Sequence, residues 1–272
     1  MQEKRYAKRT KYDHRHAVAV LKEWIEGEDL PATLETVTGR LAGHFKTERL
    51  VKTGMDPRTA NKLLSGLKSY WTWLEKHEHV EVNPWAGKSL HKGRASSDER
   101  ERPFSNDEVR RLFDGNPDQE TRDVMMLGAL TGMRLEETFR LKVADCAGGV
   151  FQVRKSKTAA GERVVPVHRD LVEVVKRRSK GKQPADFLIE GAKETGWDGA
   201  RSMNFSRNFR RYRERCHVDD KPEGRRRSRV NFHSFRRWFA TKAEQAGHHE
   251  TLAYPREPMT STHSIPLGSP AN

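Results

Sequence analysis

Residues 87–102 read Gly-Lys-Ser-Leu-His-Lys-Gly-Arg-Ala-Ser-Ser-Asp-Glu-Arg-Glu-Arg. No apolar residue recurs there at helical or strand spacing, so the stretch has no face to bury. A chain interrupted in this way folds as two separate cores joined by a linker. The expected division is a helical unit over 1–90, a linker over 91–102, a second domain over 103–250 and an irregular, proline-containing tail over 251–272. A length of 272 residues fits one large or two modest domains. Each core must be small, because hydrophobic residues (34%) barely outnumber charged ones (33%).

Within the first unit, Val18, Leu21, Trp24 and Ile25 fall at helical spacing over 16–27, and Gly27 closes the run. A second helix is expected over 34–46, with Leu34, Val37, Leu41 and Phe45 on one face. Asp56-Pro57 reads as an N-cap followed by proline at the first helical position. The helix it opens carries Leu64, Leu67, Trp71 and Leu74 in one stripe, with Tyr70 beside it. A stripe of that kind is core before it is a binding platform.

The second unit begins with a capping box, Ser105 with Glu108, ahead of Val109, Leu112 and Phe113; Gly115 ends that helix. Another helix spans 119–131 and stops at Gly132. Arg134 lies just past the stop, at the start of a further helical turn. Val-rich, alternating segments at 150–154 and 163–168 predict a hairpin joined through 155–162. Helices are expected over 169–179, 203–216 and 233–246, with a charged loop over 219–229. The fold class is therefore mainly α with a small β-sheet, an α+β arrangement.

Lysine and arginine total 52 against 38 acidic residues, a formal charge of +14. Such a surplus selects a polyanionic partner, nucleic acid first and anionic membrane second. No apolar run approaches the ~18 residues that a membrane helix needs. The basic first residues lead into no apolar signal core, so the expected location is the cytoplasm. Cys146 and Cys216 are far apart and lack nearby ligand partners, which makes them two reduced thiols rather than a zinc site or a disulfide.

Three separated segments carry the chemistry. They are 131–137 (Thr-Gly-Met-Arg-Leu-Glu-Glu), 154–168 (Arg-Lys-Ser-Lys-Thr-Ala-Ala-Gly-Glu-Arg-Val-Val-Pro-Val-His) and 233–238 (His-Ser-Phe-Arg-Arg-Trp). Arg134, Lys157, His233 and Arg236 would together supply several cations and one group that titrates near neutrality. That set suits a phosphodiester, whose charge must be held while a bond to phosphorus breaks. His233 and Arg236 are three apart on one helix and share a side of it. Each arginine presents a planar fork that matches non-bridging phosphate oxygens. No carboxylate cluster suited to Mg²⁺ accompanies them, which disfavours a metal nuclease.

In order and context these segments resemble the tyrosine recombinase (phage integrase) family. The 131–137 segment resembles that family's first arginine motif, with Glu137 in the acidic position. Lys157-Thr158, followed by Gly161, Arg163 and Val165-Pro166, resembles the lysine-bearing hairpin, in which Lys155 is a close rival. His233-Ser234-Phe235-Arg236 resembles the His-x-x-Arg box. The resemblance implies a helical core-binding domain that clamps DNA, followed by a catalytic domain. It implies site-specific strand cleavage and rejoining through a phosphotyrosyl link, with Lys157 protonating the departing 5′-oxygen and His233 as acid or base. The resemblance also implies that neither a metal nor another cofactor is needed, which agrees with the lack of a carboxylate cluster suited to Mg²⁺. Glu137 is expected to brace Arg134 or a neighbour.

The pattern departs from the family at its end. The resemblance places the nucleophilic tyrosine near Gly268, where the sequence reads Ile265-Pro266-Leu267-Gly268. The usual Leu-Gly-His segment is absent as well. Tyr254 is the only tyrosine after Arg236, and Pro255, Pro258, Pro266 and Pro270 would break a helix around it. The tail therefore reads as a replaced or frame-shifted end, as in a decaying prophage gene. Tyr254 is the candidate nucleophile; the alternative is a catalytically inactive, degenerate integrase that only binds DNA.

Double-stranded DNA is the expected partner, with a homo-oligomer on DNA as a further implication of the resemblance. Arg207, Arg210 and Arg211 would line one face of the 203–216 helix, with Phe205, Phe209 and Tyr212 anchoring the other. Arg225, Arg226 and Arg227 form a second basic cluster, continued by Arg229. Such clusters hold phosphates rather than read bases.

Overall fold

The computed structural model describes residues 7–91, 100–154, 162–194, 199–224 and 227–248. The chain divides into two compact units, Met1–Ala95 and Ser96–Asn272.

The first unit is helical. Helix α1 (Lys8–Gly27) starts well before the expected residue 16. Its early turns carry no apolar stripe; ion pairs support them instead, with Asp13 lying 3.5 Å from Arg9 and 2.8 Å from Lys62. Ala17, Leu21 and Ile25 are its buried positions. Helix α3 (Pro57–Lys76) opens on Asp56, whose carboxylate accepts from the Arg58 and Thr59 amides at 3.0 and 3.2 Å. Leu64, Leu67, Trp71 and Leu74 are buried along it, as their spacing requires. The two helices meet closely at Gly66, where a Cβ would stand 3.0 Å from that of Ala17.

Between them, the helix expected over 34–46 is shorter at its front. Helix α2 spans Gly39–Phe45, because the Thr38 hydroxyl caps it by accepting from the Leu41 amide at 3.2 Å. It continues as a π-helical turn over Lys46–Val51. Val37 still reaches the core from the preceding turn. Phe45, Trp71 and Trp85 pack edge to face, with centroids 5.7 Å apart in both pairs that Trp85 makes. Trp85 is held there by Asn83, whose amide nitrogen donates to the Lys68 carbonyl at 2.9 Å. The front of the polar stretch also belongs to this unit, since Asn61 exchanges hydrogen bonds of 2.9 and 2.8 Å with the backbone of Leu90.

The second unit opens with Arg102, whose guanidinium donates twice to Glu108 at 2.8 Å and once to Asp220 at 2.5 Å. Helix α4 (Asn106–Asp114) carries the expected capping box: Ser105 accepts from the Glu108 amide, and Glu108 accepts from the Ser105 amide. Helix α5 (Gln119–Thr131) ends at Gly132, which takes a left-handed conformation with φ +61°. Helix α6 (Leu135–Arg140) follows. Strands β1 (Val150–Val153) and β2 (Arg163–Pro166) pair antiparallel, with Val153 opposite Arg163. The expected 169–179 helix starts as a 3₁₀ turn and becomes α7 (Val172–Ser179). Helices α8 (Met203–Arg215) and α9 (His233–Gln245) complete the described part. Phe104, Phe205, Phe209, Phe232 and Phe235 form the aromatic centre of this core. Helix α5 lies against it at Gly128, where a Cβ would come within 2.8 Å of Phe232.

Candidate phosphate site

The site grows from the stop of helix α5. Gly132 turns the chain, and a side chain there would meet strain from the positive φ and a clash with Phe239 at 2.6 Å. Met133 then dives into the core with 1% exposure, which sends the next residue outward. The Arg134 side chain is 51% exposed at the start of α6. Glu137, three residues on, folds back under it. Its carboxylate accepts from the Arg134 amide at 2.9 Å and from Arg134 Nη1 at 2.7 Å.

Strand β2 adds Arg163 from the opposite side. Its Nη2 donates to Glu137 Oε2 at 2.8 Å and its Nη1 to Oε1 at 3.3 Å. Burial pushes the Glu137 carboxyl up, but the hydrogen bonds from Arg163 and from Arg134 outweigh it and hold the group below the ordinary carboxylate range. Glu137 is thus an ionised brace, as its place in the motif suggests.

Helix α9 brings the later box to the same point. Arg236 Nη1 donates to the Gly132 carbonyl at 2.6 Å. Loss of hydration lowers the Arg236 pKa, and the charges of Arg163 and Arg134 lower it further, which places three guanidiniums within electrostatic reach of one another. His233 starts the helix, its amide donating to Asn231 Oδ1 at 2.8 Å. It is exposed rather than a core histidine. Its ring is still partly stripped of water. That desolvation, and then Arg237 and Arg236, push it below its ordinary value. Arg237 in turn is ion-paired with Glu101. His233 is therefore mostly neutral near pH 7, able to accept a proton.

Arg134, His233 and Arg236 are thus brought together. Lys157, Tyr254, Arg225 and Arg226 lie outside the described residues. On α8, Arg207, Arg210 and Arg211 are exposed while Phe205, Phe209 and Tyr212 are buried, the division expected from spacing. Arg210 is paired with Glu214 at 2.9 Å. Arg213, which no pattern singled out, is buried and bonded to Asp219 and to the Val218 carbonyl, both at 2.5 Å. Arg227 is exposed and, with Arg210 and Lys221, rims a cleft of about 320 Å³ beside α8. Arg163 is the residue that sequence reasoning underrated. It looked like one member of a hairpin motif, and its partner lies 26 positions away on another element.

The family model described as "Phage integrase family" matches residues 103–251. Its match ends short of Tyr254. Among solved structures, a lambda integrase dimer (residues 75–356) bound to a COC′ core site is 19% identical, with a TM-score of 0.68 over 94% of this chain and 87% of that one. The Tn1549 transposon integrase in complex with circular intermediate DNA is 17% identical, with a TM-score of 0.66 over 93% and 86%. A lambda integrase tetramer bound to a Holliday junction is also 17% identical, with a TM-score of 0.64 over 94% and 72%. At such identities the likeness establishes the fold. No curated protein sequence matches the chain significantly. Among the described residues, no helix is long and apolar enough to cross a membrane.

Proposed function

We propose, from the premise that this chain belongs to the phage integrase family of tyrosine recombinases, that it cleaves and rejoins double-stranded DNA at specific sites. In this reading Arg134 and Arg236 grip the two non-bridging oxygens of the scissile phosphate. A tyrosine hydroxyl attacks phosphorus, an oxygen–phosphorus bond forms, and the bond to the 5′-oxygen breaks. The proton needed by that oxygen comes from Lys157, and neutral His233 takes the proton of the attacking hydroxyl. Reversal of the same steps rejoins a strand. Tyr254 is the candidate nucleophile. The region 1–90 would clamp the duplex, 91–102 would link, and 103–250 would carry the chemistry, with Arg207, Arg210, Arg211, Arg225, Arg226 and Arg227 on DNA phosphates. Several copies would assemble on DNA, as the lambda integrase dimer and tetramer do.

The observation that carries this reading is the 2.6 Å bond from Arg236 to the Gly132 carbonyl, which supports a shared phosphate pocket two residues from Arg134. The test is a nicked suicide duplex carrying the chain's own target. A covalent protein–DNA adduct that Tyr254→Phe abolishes supports the reading.

A second reading, a DNA-binding protein without catalysis, is favoured by one observation: Tyr254 lies beyond residue 251, where the family match ends. Tight DNA binding with no adduct would select it.

A further inference from the structure

Glu137 sits almost fully buried, with 5% of its side chain exposed, between two arginines. A carboxylate offers about four lone-pair positions. All are taken here: two by Arg134 (amide and Nη1) and two by Arg163 (Nη1 and Nη2). The two arginines are bound unequally. Arg163 spends both terminal nitrogens on Glu137 and is 16% exposed. Arg134 gives it one terminal nitrogen and remains 51% exposed.

We propose that Arg163 is a positioning residue that neutralises Glu137, so that Arg134 keeps the free edge of its guanidinium for phosphate. The inference rests on the phosphate reading of the Arg134–Arg236 pair. The physical reason is competition. A buried carboxylate that has lost one cation will draw in whatever cation remains, because an uncompensated buried charge is costly. Arg134 is the nearest, and an arginine–carboxylate pair prefers two parallel hydrogen bonds. Without Arg163, Arg134 would close onto Glu137 as a full fork and withdraw from the pocket. With Arg163 present, its two bonds and the Arg134 amide fill three of the four positions, so Arg134 gives a single terminal nitrogen and the rest of its fork stays available. Arg163 also adds positive charge beside Arg236, which strengthens the pocket for an anion.

This role differs from mere support of the fold. If Arg163 only held β2 in place, removing Glu137 as well would make matters worse. If Arg163 acts by neutralising Glu137, removing that negative charge should undo the damage. The experiment titrates the full chain with inorganic phosphate and follows the Nε–H resonance of Arg134, assigned through its loss in Arg134→Lys. Arg163→Ala should raise the phosphate dissociation constant read at Arg134 by about tenfold, the scale on which single charge-assisted bonds act. Arg163→Lys, which keeps the charge without the fork, should raise it less. Arg163→Ala combined with Glu137→Gln should restore it to within about threefold of the unmodified chain, a non-additivity expected of groups in one network. A double variant that binds phosphate no better than Arg163→Ala overturns the inference while leaving the phosphate reading intact. An unmodified chain whose Arg134 resonance ignores phosphate overturns both. If Arg163→Ala fails to fold, the comparison of Arg163→Lys with Arg163→Lys/Glu137→Gln carries the same test: a gain in phosphate affinity on adding Glu137→Gln supports it and no gain overturns it.

Discussion

Arg236, in the last described helix, donates its Nη1 to the backbone carbonyl of Gly132, 104 positions earlier, at 2.6 Å. That single bond ties the later box to the turn that presents Arg134. It also restrains the Arg236 fork, because one of its two terminal nitrogens is committed to that carbonyl.

Replacing Arg236 should therefore remove both a charge and an orientation. Under the recombinase reading, Arg236→Ala is expected to slow strand cleavage by about 10²–10³, the usual loss for one preorganised donor. Arg236→Lys keeps the charge but not the planar fork, and should recover little of it. Single-turnover cleavage of a nicked duplex checks this, with DNA affinity measured alongside. Unchanged cleavage in Arg236→Ala would remove this residue from the mechanism.

Gly132→Ala tests the turn itself. The left-handed conformation and the Phe239 ring, which would lie 2.6 Å from an added Cβ, act together. The expected loss of stability is about 2–4 kcal/mol, combining the left-handed penalty with overpacking. Gly148 is the control: its φ is +68°, but nothing lies within 4 Å of an added Cβ. Gly148→Ala should cost only about 1–2 kcal/mol. Urea unfolding of both variants reads the difference, and equal losses would show that the Phe239 approach is harmless.

Local rules were legible in the sequence wherever neighbours along the chain decide the outcome. The Asp56-Pro57 start, the Ser105–Glu108 box and the Gly132 stop are all present because each satisfies backbone groups within a turn. The front of α1 leaves no mark in the apolar spacing, because ion pairs rather than an apolar stripe support it. The 34–46 spacing overstates the helix, because Leu34 and Val37 keep apolar spacing while the Thr38 cap starts the helix at Gly39. At the site, Arg134, His233 and Arg236 were visible through their motifs. Arg163 and the Arg237–Glu101 pair were not given a role, since their partners lie 26 and 136 positions away. Pairing at that range is set by how elements pack, and no spacing rule along the chain encodes it.

Acid should expose the Glu137 brace. Its folded pKa lies below the ordinary 4.5, so the unfolded chain takes up a proton first as pH falls. The stabilisation is fully present above about pH 4.5 and is lost as pH drops through the folded value. Glu137→Gln has no such proton to gain. The stability gap between the unmodified chain and Glu137→Gln should be constant at about pH 7 and 5 and shrink at about pH 4 and 3. A gap that holds down to the lowest of these would mean that the carboxylate is not held by charge.

Helix α8 carries the last test. Arg207 and Arg211 share its exposed side, while Phe205, Phe209 and Tyr212 fix the other side in the core. Their substitution should therefore leave folding alone and act on DNA through charge. Each phosphate contact contributes about 0.9 to the slope of log affinity against log salt. Arg207→Ala with Arg211→Ala should lower that slope by about two, and weaken unrelated duplexes as much as a target duplex. Fluorescence anisotropy across about 50–200 mM salt measures it. A slope unchanged by the double substitution would take α8 off the phosphate backbone. A loss confined to one sequence would mean instead that these arginines read bases.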